Sequence, residues 1–233
     1  MTAAELIKKL ENDKEYQARI RQRNLEIKEK WDLVAKESES FAKECKQAGY
    51  SLETAWDLIM VEEPYPELIP ILIKYLEEKN HSPKFREGIA RALAVSDSYP
   101  YFDRLLKLYY ESKEEYETVP WAIACALSAA AVTQEQLDVI EKMIYDKEIG
   151  EDRFALLSSI KSMKGNQKQR VLAYAHSDEA LKKNLRISMQ NNEISSRKRL
   201  SRDRMTLFAL HNLVSAVCFC CAKTDAFCGL DFF

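Results

Sequence analysis

The chain has 233 residues, of which 46% are apolar and 31% charged, and it contains only five glycines and six prolines. This composition allows a buried core, excludes a disordered or collagen-like chain, and argues against a many-stranded β protein, which needs frequent turn residues. Because 35 basic residues stand against 37 acidic ones, the net charge of −2 gives no overall basic field for nucleic acid.

The N-terminus and the cysteines bear on the cellular compartment. The segment Met1–Lys9 has a charged residue within its first five positions and no apolar run, so we do not expect a signal peptide. Cys45 and Cys125 lie in helical patterns, and the other four cysteines crowd into the last sixteen positions instead of being spread as a disulfide framework. We therefore expect a cytoplasmic protein.

Residues 1–50 are predicted to form an N-terminal helical arm. Capping-box spacings at Thr2 with Glu5 and at Asn12 with Glu15 predict the starts of two helices. In the second helix, apolar side chains recur at steps of three, four or seven from residue 16 to residue 48, which is typical of one helical stripe. Gly49 is predicted to end that helix.

A third helix is expected after Ser51, which is its predicted N-cap, and the proline-bearing stretch 61–66 ends it. From there the chain becomes periodic. Helical segments of similar pattern begin 34 residues apart, and a second helix follows each of them. The first helices are Leu68–Leu76, Phe102–Tyr110 and Gln136–Ile144, and the second helices are Lys84–Leu93, Thr118–Leu127 and Asp152–Ile160. A partial fourth unit is predicted between residues 170 and 189.

Helix pairs that repeat at this interval predict an α-solenoid, because one pair cannot bury its apolar face without neighbours. The second helices, in particular Arg86–Ala94 and Glu151–Leu157, place a basic residue before an Ala- and Leu-rich run. In this they resemble HEAT and armadillo-type repeats, and the whole chain resembles bacterial proteins that join a charged N-terminal helix to short HEAT-like repeats. The resemblance implies an all-α fold, a short right-handed solenoid of HEAT-like pairs over residues 51–190.

Charge is distributed unevenly along the chain. Residues 51–152 carry 10 basic and 21 acidic side chains, a net charge of −11, whereas residues 153–204 carry 13 basic and 4 acidic ones, a net charge of +9. Two interpretations stay open: helices with differently solvated faces, or a basic surface for an acidic partner.

Residue patterns that would support catalysis or metal binding are scarce. The three histidines do not pair with cysteine or with each other at ligand spacing, and the spacing of Cys218, Cys220, Cys221 and Cys228 fits no standard zinc or iron–sulfur site. The five glycines stand singly, so no phosphate-binding loop is expected. We predict no catalytic residues, no metal and no cofactor.

Five basic residues are the candidate partner-binding side chains: Arg86, Arg91, Arg153, Lys161 and Lys164. Arginine at such a place in HEAT-like repeats commonly bonds to acids of neighbouring repeats, which is the structural interpretation. In the functional interpretation these side chains lie near the inner face and bind carboxylates or phosphates of a partner. For Trp56 and Trp121, which lie on the repeating apolar faces, core packing is favoured over ligand stacking.

Residues 191–233 differ from the body of the chain, since a basic cluster at 197–204 precedes an apolar stretch at 205–222. A tail anchor, a helix that caps the stack, and a segment unrelated to the repeats or produced by a change of reading frame are the alternatives.

The sequence therefore predicts a non-catalytic protein-binding module that uses the concave face of a solenoid, with an inhibitor or immunity protein as one form. Nucleic acid is not the expected partner, and neither is a membrane unless residues 205–222 act as an anchor. The alternative is a HEAT-like enzyme, either a DNA glycosylase or a tetrapyrrole lyase.

Overall fold

The structure, a computed structural model, describes residues 2–114 and 118–182. Regular structure in this part of the chain is entirely helical, which confirms the all-α prediction. Its α-helices are α1 (Ala3–Asn12), α2 (Lys14–Gln47), α3 (Ile69–Glu77), α4 (Pro83–Ala92), α5 (Phe102–Glu111), α6 (Thr118–Ala130), α7 (Gln134–Tyr145), α8 (Arg153–Leu156) and α9 (Gly165–Ser177). Short 3₁₀ helices cover Ala55–Met60, Pro66–Leu68, Ser96–Tyr101, Lys147–Asp152 and Leu157–Lys161.

The capping box predicted at Thr2 is present and starts α1. The box predicted at Asn12 is wrong, because Asn12 is the last residue of α1 and Asp13 caps α2. The Asp13 carboxylate accepts the backbone N–H groups of Glu15 and Tyr16, both at 3.0 Å. A carboxylate at the N-cap satisfies two donors that the first turn leaves unpaired, and it also complements the helix dipole.

Ser51 is not an N-cap. Thr54 takes that role, and its capping box with Asp57 starts the 3₁₀ helix Ala55–Met60 in place of the expected α-helix. Pro70 belongs to the predicted helix Leu68–Leu76. In the structure it lies in the first turn of α3, where its missing N–H breaks no helical hydrogen bond. The last of the predicted second helices, Asp152–Ile160, is also shorter than expected, because the α-helical geometry of α8 ends at Leu156 and a 3₁₀ helix begins at Leu157.

The helices pack in pairs that follow the 34-residue repeat. α3 contacts α4, α5 contacts α6, and α7 contacts α8. The second members also contact one another in chain order: the 3₁₀ helix Ala55–Met60 packs on α4, α4 on α6, and α6 on α8. We call these four elements the second-helix row. Tyr75, Tyr109 and Met143, which the repeat places at equivalent positions, are all buried.

The second half of α2 belongs to the core. Val34, Phe41 and Cys45 are fully buried, and the Phe41 ring packs edge-to-face against Tyr75 and Phe85. The first half of α2 is packed by α1. The edge of the core therefore falls within α2.

None of the helices in the described ranges combines the length and the apolar character needed to cross a membrane. The segment 191–233, including the apolar stretch 205–222 and the four clustered cysteines, lies outside the described residues.

Candidate functional site

The three tryptophans of the chain converge on α4 from three different elements. Trp31 comes from α2, Trp56 from the 3₁₀ helix Ala55–Met60, and Trp121 from α6. The rings of Trp31 and Trp56 meet edge-to-face with centroids 5.5 Å apart. With three charged residues of α4, namely Lys84, Glu87 and Arg91, these side chains form what we call the tryptophan–cation cluster.

The cations of the cluster lie between the indole rings. Lys84 Nζ is 4.0 Å from the Trp56 ring centroid and 5.4 Å from that of Trp31. The Arg91 guanidinium carbon is 5.7 Å from the Trp56 centroid and 5.2 Å from that of Trp121. Each distance lies within the range of cation–π attraction, which is strongest for tryptophan. One cation thus links each pair of successive tryptophans.

Glu87 holds both cations in place. Because Lys84, Glu87 and Arg91 follow at steps of three and four residues, they share one face of α4. Arg91 Nε donates to Glu87 Oε1 at 2.8 Å, and Lys84 Nζ donates to Oε2 at 3.3 Å. The Glu87 side chain is only 6% exposed. A buried carboxylate is tolerated when it is paired and hydrogen-bonded, and two cations provide this here.

Lys84 combines partial burial with a lowered pKa. Burial lowers the pKa of its ammonium group below the usual range, and the nearby Glu87 carboxylate opposes this effect. The positive charges of Arg91 and Lys30 lower the pKa further. The side chain is 30% exposed, so the ammonium group is reachable from solvent.

Gly88 makes the close approach of Trp56 possible. A Cβ atom at this position would lie within 2.9 Å of three atoms of the Trp56 indole, so the ring packs directly on the α4 backbone. Trp56 Nε1 is buried there and meets no hydrogen-bond acceptor in the described part of the chain. The capping box of Thr54 and Asp57 fixes the turn that carries this tryptophan.

Of the five predicted partner-binding residues, Arg91 alone lies in the cluster. Arg86 is buried and its Nη2 donates to the carbonyl oxygen of Leu76. Arg153 is buried as well, with Nη1 2.9 Å from Asp178 Oδ2 and Nε donating to the Gly150 carbonyl oxygen. These contacts support the structural interpretation of Arg86 and Arg153, whose guanidinium groups are not presented at the surface.

Lys161 and Lys164 are exposed at the other end of the second-helix row. Lys161 ends the 3₁₀ helix Leu157–Lys161, and Lys164 is the N-cap residue of α9. Both are accessible to a partner, but they are not part of the cluster.

Lys84 and Glu87 are functional candidates that the sequence alone did not single out. Their spacing with Arg91 on one helix face was a usable signal, and so was Gly88, a lone glycine inside an Ala-rich helix. The core-packing interpretation of the tryptophans agrees with the burial of Trp121, whereas Trp31 and Trp56 stay partly exposed.

Within the described ranges, no group of three or more histidine, cysteine or acidic side chains could hold a metal ion. Comparisons of the chain with protein-family models, with curated proteins and with solved structures returned no match.

Proposed function

We propose that this protein is a non-catalytic binding module, a short HEAT-like solenoid whose second-helix row receives a partner protein. The observation that carries the proposal is the tryptophan–cation cluster. It presents partly exposed Trp56 and Lys84 on the row, with partly exposed Trp31 of α2 beside them. The Glu87 carboxylate pairs with both Lys84 and Arg91.

The composition of the cluster suits protein recognition. Tryptophan and arginine are the residues that most often dominate the energy of protein interfaces, because large rigid side chains gain contact area with little loss of conformational freedom. The ion pairs with Glu87 and the cation–π contacts restrict the side chains before any partner arrives, which reduces the entropy lost on binding. Lys161 and Lys164 would extend the binding surface along the row.

Affinity capture with site variants tests the proposal. The tagged full-length chain is expressed in the cells that produce it, beside the variants Lys84→Met and Lys161→Glu/Lys164→Glu. The control is Lys107→Glu on α5, a first helix, where the side chain is 77% exposed. We expect one stoichiometric partner that the control retains and the row variants lose. The proposal fails if no stoichiometric partner is captured, or if the row variants retain the partner as well as the control does.

A second candidate function, an enzyme acting on DNA, is favoured by one observation: a buried carboxylate beside three tryptophans and two cations. Retention on immobilised DNA at about 50 mM salt, lost in Lys84→Met, would support it. Arg153 is unsuited to this test because it is buried against Asp178. Absence of retention at that salt concentration excludes the candidate.

A further inference from the structure

We infer that Lys84 is an anion-binding residue and that it receives a carboxylate from an acidic segment of the partner protein. This inference rests on the proposed function, since it names the chemistry that the tryptophan–cation cluster recognises.

The hydrogen bonds of the cluster leave Lys84 with unused capacity. An ammonium group carries three donors. Among the described residues, the structure gives Lys84 one acceptor, Glu87 Oε2, at the long distance of 3.3 Å. The stronger partner of Glu87 is Arg91, whose Nη2 lies 2.7 Å from Oε1. A second carboxylate on the solvent side of Lys84 would therefore gain hydrogen bonds without breaking the existing network.

The charges around Lys84 also favour an anion. Arg91 and Lys30 act on its ammonium group as positive charges, and Glu87 acts as a negative one. An incoming carboxylate would replace part of the hydration that burial has removed from Lys84, so its binding is stronger than at an exposed lysine. The Lys84 ammonium group lies over the Trp56 ring and close to that of Trp31, which restricts the directions in which its remaining donors can point.

The cluster suits an acidic peptide better than a nucleic acid. Base stacking needs open aromatic faces, but Lys84 and Arg91 lie over the Trp56 ring, and Trp121 is buried. Residues 51–152 carry a net charge of −11, which would repel a long phosphate backbone. A short acidic segment needs only the local positive charge near Lys84.

Intrinsic fluorescence gives a direct assay, because the chain has three tryptophans and all of them lie in the cluster. The full-length protein is titrated with a hexaglutamate peptide at constant ionic strength. We expect a saturable change in tryptophan emission. Lys84→Met keeps an unbranched side chain but removes the charge, and it should weaken the affinity about tenfold. Lys84→Arg should retain binding, and the control Lys107→Met should bind as the wild type does.

Circular dichroism of each variant establishes that the helices are intact. The inference is overturned if hexaglutamate gives no saturable change, or if Lys84→Met binds it as tightly as the wild type. It is also overturned if inorganic phosphate binds as tightly as hexaglutamate, since the site would then not be specific for carboxylates.

The two proposals fail separately. If the captured partner depends on Lys161 and Lys164 while hexaglutamate does not bind, the binding module stands and the assignment of Lys84 is wrong. If hexaglutamate binds through Lys84 while no stoichiometric partner is captured, the carboxylate site stands without the proposed function.

Discussion

Gly88 offers the sharpest test of how the tryptophan–cation cluster is built. In Gly88→Ala the new methyl group would lie within 2.9 Å of three Trp56 indole atoms. Cβ atoms in real proteins essentially never come this close to another heavy atom. The indole has little room to retreat, because Trp31 meets it edge-to-face and Lys84 Nζ lies 4.0 Å from its centroid. The substitution therefore acts on the whole cluster.

The sign of the effect follows from two opposing terms. Overpacking a close contact costs about 1–3 kcal/mol. Replacing glycine by alanine inside a helix stabilises it by about 1 kcal/mol. Because the three contacts with Trp56 are 2.9 Å or shorter, the overpacking cost lies at the upper end of its range. We therefore expect Gly88→Ala to lower the free energy of unfolding by about 2 kcal/mol, measured by urea denaturation and followed by far-UV circular dichroism.

A matched background isolates the clash. In Trp56→Ala the ring is absent, so adding alanine at position 88 should raise the free energy of unfolding by about 1 kcal/mol through helix propensity alone. This reversal of sign is the expected result. Equal destabilisation by Gly88→Ala in both backgrounds would refute the packing of Trp56 on the α4 backbone.

Three further substitutions test other parts of the structure. Arg153→Met removes one partner of a buried ion pair and should cost about 3–5 kcal/mol in urea denaturation at pH 7. The Arg153 guanidinium lowers the pKa of the Asp178 carboxyl group. The stability advantage of the wild type over Arg153→Met should therefore be full above about pH 4 and shrink as the pH falls through the folded-state pKa of Asp178. An advantage that does not change with pH would contradict the pairing. Tyr65→Phe removes a buried hydroxyl that donates to the Ala92 carbonyl oxygen at 2.8 Å. The free energy of unfolding should fall by about 1–2 kcal/mol, which a lower melting temperature would show. Thr133→Ala breaks a capping box and should cost about 1 kcal/mol in urea denaturation, whereas Thr133→Ser should restore most of it.

Local sequence patterns predicted much of the helical structure correctly. The capping box predicted at Thr2 is present, and the same pattern, a threonine followed three residues later by Gln136, starts α7 at Thr133. These features depend on hydrogen bonds within one turn of helix, which the neighbouring residues determine. The wrong caps, Asn12 and Ser51, are cases where a second cap-forming residue stood one to three positions further along, at Asp13 and Thr54. The sequence pattern could not decide between two neighbouring residues whose side chains can both accept the N-cap hydrogen bond.

The surroundings of the arginines at the starts of the second helices depend on residues distant in sequence. Arg86 and Arg153 occupy similar places at the starts of second helices, but Arg153 pairs with Asp178, 25 residues further along. No local pattern indicates which acid will meet a guanidinium group. The sequence could therefore propose both a structural and a functional role, and only the tertiary structure shows that both side chains are buried, Arg86 against the Leu76 carbonyl oxygen and Arg153 against Asp178.

The sequence by itself determined that the chain is helical, where most helices begin, and that helix pairs recur every 34 residues. These properties follow from apolar periodicity and from capping chemistry, which act over a few residues. Only the tertiary structure brought Trp31, Trp56 and Trp121 together around Lys84, Glu87 and Arg91. That cluster joins residues up to 90 positions apart. It forms because α2, α6 and the 3₁₀ helix Ala55–Met60 all pack against α4, where Gly88 leaves room for the Trp56 indole ring.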